Sequence, residues 1–307
     1  METTAASGFH PGELRVQERA GVTEDAARLT NMLRPAELDG GPAKWLAQRM
    51  FAALTARGGD GRLWTVPLLG APGFLQGAGA TLQVAALPDH RGPLARPVVG
   101  GPVGLIVLDF AAGRRLRVNG TLVSVDGQGM VIEADQAYGN CPSYIQRRGL
   151  EITLGGAVGG DAEITAGALS EDARSLITGA DTFFLGTVHP ERGADTSHKG
   201  GRPGFVRIDS DGSLWWPDYR GNNMFNSFGN LADNPEASLL FVDFTRGRAL
   251  HVSGTAEVEW FEPGGQGDDD YTGRRVRVRP AQVVEVDLDV RAGTPIPSPA
   301  NPGLRTN

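Results

Sequence analysis

Two stretches of the chain show the same alternation of apolar and polar residues. Residues 104–125 read GLIVLDFAAGRRLRVNGTLVSV, and residues 238–259 read SLLFVDFTRGRALHVSGTAEVE. In each stretch the alternation flanks a D-F-x-x-G-R turn, which predicts an antiparallel hairpin with one buried face. A second matching pair, APGFL at 71–75 and RPGFV at 202–206, precedes the hairpins in the same order. The sequence therefore predicts two copies of one β-rich unit.

Helical periodicity is confined to short segments between these strands. Ser170 provides an N-cap and Gly179 a stop signal, while Asn234-Pro235 ends another helical segment. Asp181–Val188 has the character of a strand. The predicted helices cover residues 24–33, 44–56, 170–179 and 222–233.

The duplication divides the chain into two halves joined by the glycine-rich segment Gly155–Gly167. We predict an N-terminal half at 1–155, a C-terminal half at 168–292 and a flexible, proline-rich tail at 293–307. Residues 263–273 are predicted to form a mobile acidic loop. The predicted fold class is mainly β: two small β-barrels with short helices, packed as an internal pseudo-dimer.

Composition narrows the class of protein further. The chain has 44 glycines and 20 prolines without a triplet period, which favours many turns and excludes collagen and long helical bundles. Its formal net charge of −7 is unfavourable for nucleic-acid or acidic-membrane partners. A single cysteine, Cys141, cannot form an internal disulfide, and neither a signal-peptide pattern nor a long apolar run is present. These features predict a cytoplasmic protein.

The two halves differ in one region that carries chemistry. The second copy has polar residues at 197–202 and 216–226, where the first copy has VPLLG and LQVAAL. If 196–208 and 213–219 form a hairpin, Lys199, Arg202 and Arg220 converge near the start of the helix at 222. Free backbone amides at a helix start, together with cationic side chains, favour anion binding. The alternative interpretation is a tight turn followed by a capped helix.

These segments contain the motifs S-H-K-G-G-x-P-G-F-V, P-D-Y-R-G-N-x-M-F-N-x-x-G-N-L and L-L-F-x-D-F, and the first half contains Y-G-N-C-P-x-Y-I-Q at 138–146. Together they resemble the pyridoxamine 5′-phosphate oxidase-like, FMN-binding split-barrel family, and most closely its two-half bacterial members. The resemblance implies that the N-terminal half is a degenerate split barrel and that the C-terminal half retains the flavin phosphate loop.

The resemblance implies FMN as cofactor, with Asp218–Asn226 holding its phosphate and Arg220 supplying the charge. Asn223 stands where a second basic residue is common in the family, so Lys199 or Arg202 would compensate. A short phosphate loop without a dinucleotide fingerprint favours FMN over FAD. The implied cofactor-binding residues are Ser197, His198, Lys199, Gly200, Gly201, Arg202, Asp218, Tyr219, Arg220, Gly221, Asn222, Asn223, Met224 and Asn226, with Tyr138, Asn140 and Cys141 from the first half as the opposite wall.

The resemblance also implies a flavin-dependent oxidoreductase that acts on a small organic substrate by hydride transfer at the flavin N5. A nicotinamide reductant or oxygen is the expected partner. His198 is the candidate for tuning the ring or contacting substrate, and a surface strand residue is the alternative. For Cys141 a structural thiol is favoured over a nucleophile. The C-terminal PIPSPANPGLRTN lacks the arginine-containing strand of true pyridoxamine phosphate oxidases, which disfavours vitamin B6 oxidation.

Two further questions stay open. The runner-up function is a non-catalytic protein that holds flavin or haem on the same fold. The chain is expected either as a pseudo-dimeric monomer or as a homodimer. No metal site is predicted, because the histidines show no ligand spacing in the sequence.

Overall fold

The computed structural model describes residues 8–153 and 162–305. The strands are β1 (Phe51–Arg57), β2 (Leu63–Leu69), β3 (Leu75–Ala78), β4 (Thr81–Val84), β5 (Pro102–Asp109), β6 (Arg114–Asp126), β7 (Gly129–Gly139), β8 (Leu150–Ile152), β9 (Glu163–Thr165), β10 (Thr182–His189), β11 (Gly193–Gly200), β12 (Arg207–Ile208), β13 (Leu214–Pro217), β14 (Glu236–Asp243), β15 (Arg248–Trp260), β16 (Arg274–Asp287) and β17 (Val290–Ala292). The helices are α1 (Pro11–Arg19), α2 (Thr23–Ala27), α3 (Gly41–Leu46), α4 (Glu171–Gly179) and α5 (Asn226–Asp233), with a 3-10 turn at Thr30–Met32. None of these helices is long and apolar enough to cross a membrane.

The two large sheets have the same strand order. The first runs β2-β1-β5-β6-β7-β4-β3, and the second runs β11-β10-β14-β15-β16-β13-β12. Each strand of the first sheet thus has one counterpart in the second, and the D-F-x-x-G-R turns close the hairpins β5–β6 and β14–β15. This correspondence confirms the mainly β class and the internal duplication. Residues 155–161 of the predicted link lie outside the described residues.

The two halves pack through reciprocal strand contacts. β11 lies against β5 and β6 of the first sheet, and β2 lies against β14 and β15 of the second. Aromatic rings continue the apolar core across this boundary, with Phe51 5.5 Å from Phe184 and Phe110 5.4 Å from Phe244 between ring centroids. Buried apolar contact of this kind is the main stabilising term in protein association. The arrangement is the predicted pseudo-dimer.

A chain of buried hydroxyl groups lies within this boundary. Thr196 is 2.6 Å from Thr55, Thr55 is 2.9 Å from Thr65, and Thr65 is 2.6 Å from Ser238. Gly186 sits beside them, and a Cβ atom at this position would overlap the hydroxyl oxygens of Thr55, Thr65 and Ser238. A glycine is therefore required here by close packing, because a side chain would push the halves apart.

We expect Gly186→Ala to lower the free energy of unfolding by about 1–3 kcal/mol, the usual cost of overpacking a filled core. Urea unfolding followed by tryptophan fluorescence measures the effect. Gly59→Ala is the matched control, because a Cβ at Gly59 meets no atom within 4 Å. Equal stability of the two variants would show that the hydroxyl chain is not tightly packed.

Three of the predicted helices are wrong in part. Of the helix predicted over 24–33, only the part up to Ala27 is α-helical, and a 3-10 turn follows at Thr30–Met32. Residues 51–56 of the segment predicted as a helix over 44–56 form β1, whose first six residues are all buried between β2 and β5. Tertiary pairing on both edges overrides the local 3.6-residue periodicity. The helix predicted from 222 begins only at Asn226, since Asn223 and Phe225 have φ of 61° and 59°. By contrast, α4 and its Ser170 cap are confirmed.

The predicted hairpin between 196–208 and 213–219 is only partly formed. β11 pairs instead with β10, where Lys199 faces Phe183 in the register, and only the short β12 pairs with β13. The intervening residues separate the two pairs of strands. Cationic side chains on β11 and after β13 therefore do not share one ladder.

The loop and the tail that we predicted to be mobile are both packed. The Asp268 carboxylate accepts hydrogen bonds from the backbone amides of Gly264, Thr272 and Gly273, which closes the loop at 263–273. In the tail, the backbone amide of Ser298 donates to Gln146, and Leu304 packs against the second core. Buried polar and apolar partners that lie far away in sequence hold both segments.

α1 belongs spatially to the C-terminal half, although it lies in the N-terminal part of the chain. It packs against α5, and Gly12 and Gly229 allow the two backbones to approach closely. Val16 joins the apolar core of the second half. The boundaries 1–155 and 168–292 stay a prediction.

Candidate functional site

One cavity opens at the boundary between the two halves. It encloses about 1000 Å³ of empty space, a value that includes the open solvent at its mouth. β6 and the segment after β7 form one wall, and β11, the loop after β13 and the start of α5 form the other. The lining residues are Arg115, Arg117, Asn140, Cys141, Ser143, Tyr144, Ser197, His198, Lys199, Gly200, Phe205, Trp216, Pro217, Asp218, Tyr219, Gly221, Asn222, Asn223, Phe225, Asn226, Ser227, Phe228 and Arg274.

Most of the residues proposed from the sequence line this cavity, but some do not. The predicted convergence of Lys199, Arg202 and Arg220 is wrong, because only Lys199 lines it. Arg202 donates to the carbonyl of Pro302, and the exposed Arg220 donates its backbone amide to Asp270. The predicted residues that lie outside the lining are Gly201, Arg202, Arg220, Met224 and Tyr138.

Lys199 is a cation without a hydrogen-bonding or ion-pairing partner among the described residues. Its ammonium makes no hydrogen bond and no ion pair with the part of the chain that the structure describes. It lies 5.7 Å from the centroid of the Phe228 ring. Burial lowers the pKa of Lys199, Arg117 and Arg115 lower it further, and Asp218 opposes them. A charge held at this cost is suited to an anionic ligand.

Arg117 is the centre of a buried network that joins the halves. Its guanidinium lies 2.9 Å from the carboxylate of Asp195 and donates to Ser197 at 2.6 Å and to Asn226 at 3.0 Å. It also donates to the hydroxyl of Tyr138, which itself donates to Asn226. Burial opposes the charge of Arg117, but Asp195, Tyr138 and Glu13 together outweigh this cost, and the pKa of Arg117 is raised. The network fixes the first residue of α5 to β6 of the other half.

Arg115 and His198 form a second polar contact across the boundary. The guanidinium of Arg115 donates to Nδ1 of His198 at 3.0 Å. The proton of this imidazole therefore belongs on Nε2, which is buried and without a partner in the described chain. Burial and then Arg115 hold the pKa of His198 well below its usual value, so the ring is neutral at neutral pH. His198 is thus a buried residue, and the surface alternative is wrong.

The start of α5 provides backbone hydrogen-bond donors to the cavity. Phe225 occupies the N-cap position in the left-handed conformation and provides no side-chain cap. Tyr144 and Asn223, on the other lining segments, also have positive φ, of 66° and 61°. Residues held in such conformations cluster at functional sites because the surrounding structure must support their strain. An uncapped helix start attracts anions.

Asp218 and Arg274 form an ion pair of zero net charge in the wall of the cavity. Nε of Arg274 lies 2.9 Å from the Asp218 carboxylate. Burial raises the pKa of Asp218, while Arg274 and Lys199 oppose the shift. Asp218 is the single acidic residue among the lining residues, so the cavity has an excess of positive charge.

The duplicated half has no equivalent set of charges. In the strand registers, Leu68 corresponds to Lys199, and Ala249 and His251 of β15 correspond to Arg115 and Arg117 of β6. The corresponding groove is lined by Leu69, Gly70, Ala71, Pro72, Gly73, Phe74, Ala85, Ala86 and Leu87. Residues 85–101, between β4 and β5, contain no counterpart of α5. The duplication relates the cavity to this groove. The charged groups from both halves lie in the cavity and not in the groove.

The charged lining residues that sequence reasoning missed are Arg115 and Arg117 of the opposite wall, and Arg274. Arg115 and Arg117 occupy alternate positions on β6, which reads as an ordinary strand face. A signal was present, because the duplicated strand has alanine and histidine at these positions. Arg274 lies in a strand rich in arginine and gave no such signal.

Two histidines that are distant in sequence meet at the back of the site. His10, His189 and Asp233 have ligating atoms within 4.8 Å of one another. However, Nδ1 of His10 accepts from the amide of Gly12, and Nδ1 of His189 accepts from the amides of Glu191 and Arg192. The Nδ1 atoms of both histidines are therefore occupied by hydrogen bonds within the protein.

Glu13 of α1 lies behind Asn226, and burial raises its pKa to about 7 from an ordinary value of 4.5. The folded state keeps the proton that the unfolded chain loses, so the contribution of Glu13 to stability falls as pH rises from about 4.5 to about 7. We expect the unfolding free energy of Glu13→Gln, relative to wild type, to increase by about 2–3 kcal/mol between pH 5 and pH 8. Urea titrations at the two pH values measure this difference.

The effect of His10 has the opposite sign. Burial lowers the pKa of His10 to about 4 from 6.5, so its contribution to stability rises with pH across that interval. Because both proteins contain His10, its effect cancels in the difference between Glu13→Gln and wild type. A difference that is constant with pH would show that Glu13 is ionised in the folded protein at pH 5.

Comparisons with known proteins were made for sequence and structure. Residues 169–267 match the family model described as pyridoxamine 5′-phosphate oxidase. The search of curated proteins found no match. Among solved structures, HupZ H111A from Group A Streptococcus aligns at 16% identity and a TM-score of 0.31, covering 39% of this chain and 100% of its own.

Two further structures align with similar portions of the chain. The haem storage protein HutZ from Vibrio cholerae has 15% identity and a TM-score of 0.30 over 39% of this chain and 94% of its own. A pyridoxamine 5′-phosphate oxidase-related, FMN-binding protein from Nostoc punctiforme has 12% identity and a TM-score of 0.27 over 37% and 77%. The match at 169–267 confirms the resemblance predicted from the motifs: this part of the C-terminal half is similar to the pyridoxamine 5′-phosphate oxidase family.

Proposed function

We propose that the cavity binds FMN and that the protein is a flavin-dependent oxidoreductase acting on a small organic substrate. One observation carries the proposal: the unpartnered ammonium of Lys199 and the uncapped start of α5 open into the same cavity. A phosphate dianion needs such a combination of a cation and free backbone amides. The match of this half to the oxidase family supports FMN as the source of the phosphate.

The residues present fit the cofactor. Lys199 and the first amides of α5 would hold the phosphate, with Asn226 fixed behind them by Arg117. The aromatic residues of the lining offer apolar surface, and Ser197 to Gly200 with Asn140 offer polar contacts to an isoalloxazine ring. The basic role that the family resemblance gave to Arg220 passes to Lys199, because Arg220 does not line the cavity.

Bound FMN supplies hydride chemistry at its N5 atom. The protein residues orient the cofactor and keep water from its buried side. His198 lines the cavity, and its Nε2 proton, which has no acceptor among the described residues, is the proposed hydrogen-bond donor to the ligand. The proposed partners are the substrate and either a nicotinamide reductant or oxygen.

The site is proposed to hold one FMN per chain. The first half has the buried Leu68 in the register of Lys199, and the related groove is lined by apolar residues and glycines. An apolar groove without an anion partner does not compensate the desolvation of a phosphate dianion. The duplication thus provides two walls of one site.

The visible spectrum and redox behaviour of the purified protein test this function. We expect the protein to take up FMN, and we expect NADH or NADPH to reduce it and air to reoxidise it. A colourless protein that does not take up added FMN contradicts the proposal. Uptake of FMN without reduction by either nicotinamide contradicts the nicotinamide-dependent activity and favours the flavin-carrier alternative.

A further inference from the structure

The positive charge of the cavity exceeds what one phosphate requires. Four cationic residues line it: Arg115, Arg117, Lys199 and Arg274. Asp195 neutralises Arg117, and Asp218 neutralises Arg274, in each case at 2.9 Å. Lys199 and Arg115 have no carboxylate within 4 Å in the chain as described. If Lys199 takes the FMN phosphate, as proposed above, Arg115 is left as a cation without a counter-charge.

Arg115 lies at a different place in the cavity from the helix start. It is two residues from Arg117 on the same face of β6, which separates the two along the strand by about 6–7 Å. Arg117 contacts Asn226 at the start of α5, whereas Arg115 contacts His198. The charge of Arg115 also acts on the thiol of Cys141, an exposed lining residue. Arg115 therefore lies on the His198 side of the cavity, apart from the helix start.

The fold itself does not require an arginine at this position. The duplicated strand β15 has Ala249 in the register of Arg115 and maintains the same pairing with its neighbours. Among residues 8–153 and 162–305, Arg115 makes hydrogen bonds only to neutral groups of His198, and its buried Nε finds no partner there. Burial and the nearby Arg117 lower the pKa of Arg115 to about 10, which shows that the charge is held at a cost. Such a charge is explained by a ligand better than by folding.

We propose that Arg115 binds a carboxylate group of the substrate, so that the enzyme oxidises or reduces small organic monocarboxylates beside the flavin. This inference rests on the proposed FMN site. One uncompensated charge matches a monoanion, and a guanidinium presents planar donors that suit a carboxylate. Asn140 and Ser143 of the same wall add neutral polar groups, and Asp218, the acid of the lining, is already paired.

Binding of benzoate to the FMN-loaded protein tests the inference without a need for turnover. Benzoate is titrated at constant ionic strength, and the perturbation of the flavin absorption spectrum gives Kd. Benzamide is the neutral probe of the same shape. Arg115→Gln removes the charge, and Arg279→Gln is the matched control, since Arg279 is exposed and pairs with Glu257. We expect Arg115→Gln to raise the Kd for benzoate at least about tenfold, with FMN affinity changed less than about threefold.

Each other outcome has a definite meaning. Equal affinity for benzoate in Arg115→Gln and wild type overturns the inference, and so does equal binding of benzamide and benzoate. Loss of FMN from a folded Arg115→Gln protein also overturns it, because Arg115 is then a flavin ligand. Failure of the wild type to bind FMN overturns the proposed function and this inference together. If Arg115→Gln does not fold, benzoate and benzamide are compared in wild type and in Arg115→Lys. Equal binding of the two probes then overturns the inference.

Discussion

Replacing Lys199 with glutamine is expected to weaken FMN binding by about 10- to 100-fold, since a hydrogen bond to a charged group contributes about 1.5–3 kcal/mol. Glutamine keeps most of the length of the side chain but removes the charge that would face the phosphate. The position is sensitive because no hydrogen-bond acceptor and no carboxylate in the described structure pairs with the ammonium of Lys199, which contacts only the Phe228 ring. Quenching of FMN fluorescence during titration at fixed ionic strength measures Kd.

Lys44→Gln is the matched control for this experiment. Lys44 is the other lysine of the chain and is exposed on α3. It should bind FMN as the wild type does, because loss of a distant surface charge changes the affinity little when salt screens it. If Lys199→Gln binds FMN with wild-type affinity, the phosphate does not lie beside Lys199.

Replacing Arg117 with methionine is expected to lower the free energy of unfolding by about 3–5 kcal/mol, the usual cost of breaking a buried ion pair from one side. The substitution leaves the carboxylate of Asp195, which is 2% exposed, without its cationic partner. It also removes the hydrogen bonds that Arg117 donates to Ser197 and Asn226. Urea unfolding followed by tryptophan fluorescence measures the loss, since Trp216 lies in the same cavity wall.

The double variant Arg117→Met/Asp195→Leu separates the ion pair from the packing around it. Removing both charges eliminates the uncompensated carboxylate, so we expect the double variant to be more stable than Arg117→Met alone. Arg19→Met gives a control for arginine removal, because Arg19 rests on the Trp260 ring away from the cavity. A stability of Arg117→Met within about 1 kcal/mol of wild type would contradict the network as described.

The repeated hairpins were predictable because their signal is local. Each D-F-x-x-G-R turn lies between alternating strands, and the structure pairs Asp109 with Arg114 and Asp243 with Arg248. The polar segments of the second copy were also visible, because the first copy provides an internal comparison. Local turn chemistry and duplication together predicted the fold class and one side of the cavity.

The opposite wall could not be predicted from local patterns. Arg115 and Arg117 become site residues only because β6 of one half packs on β11 of the other. The start of α5 depends on the left-handed conformations of Asn223 and Phe225, which a helical pattern does not reveal. Pairing with β2 and β5 likewise decides that β1 is a strand.

The contacts of the two chain ends could not be predicted for a related reason. A glycine- and proline-rich tail has little local structure, yet the side chains of Ser298 and Asn301 hydrogen-bond with the segment that forms the cavity mouth. α1 reaches the site from the other terminus through Glu13 and Asn226. Contacts between residues so distant in sequence leave no signal in either segment alone.

The most direct test of the central account is the number of FMN molecules that one chain binds. We propose a single FMN site at the boundary, with Lys199 and the start of α5 from one half and Arg117 from the other. Equilibrium titration of the wild-type chain with FMN, monitored by flavin fluorescence, counts the sites. The account predicts saturation at one FMN per chain; saturation at two, or no binding, would contradict it.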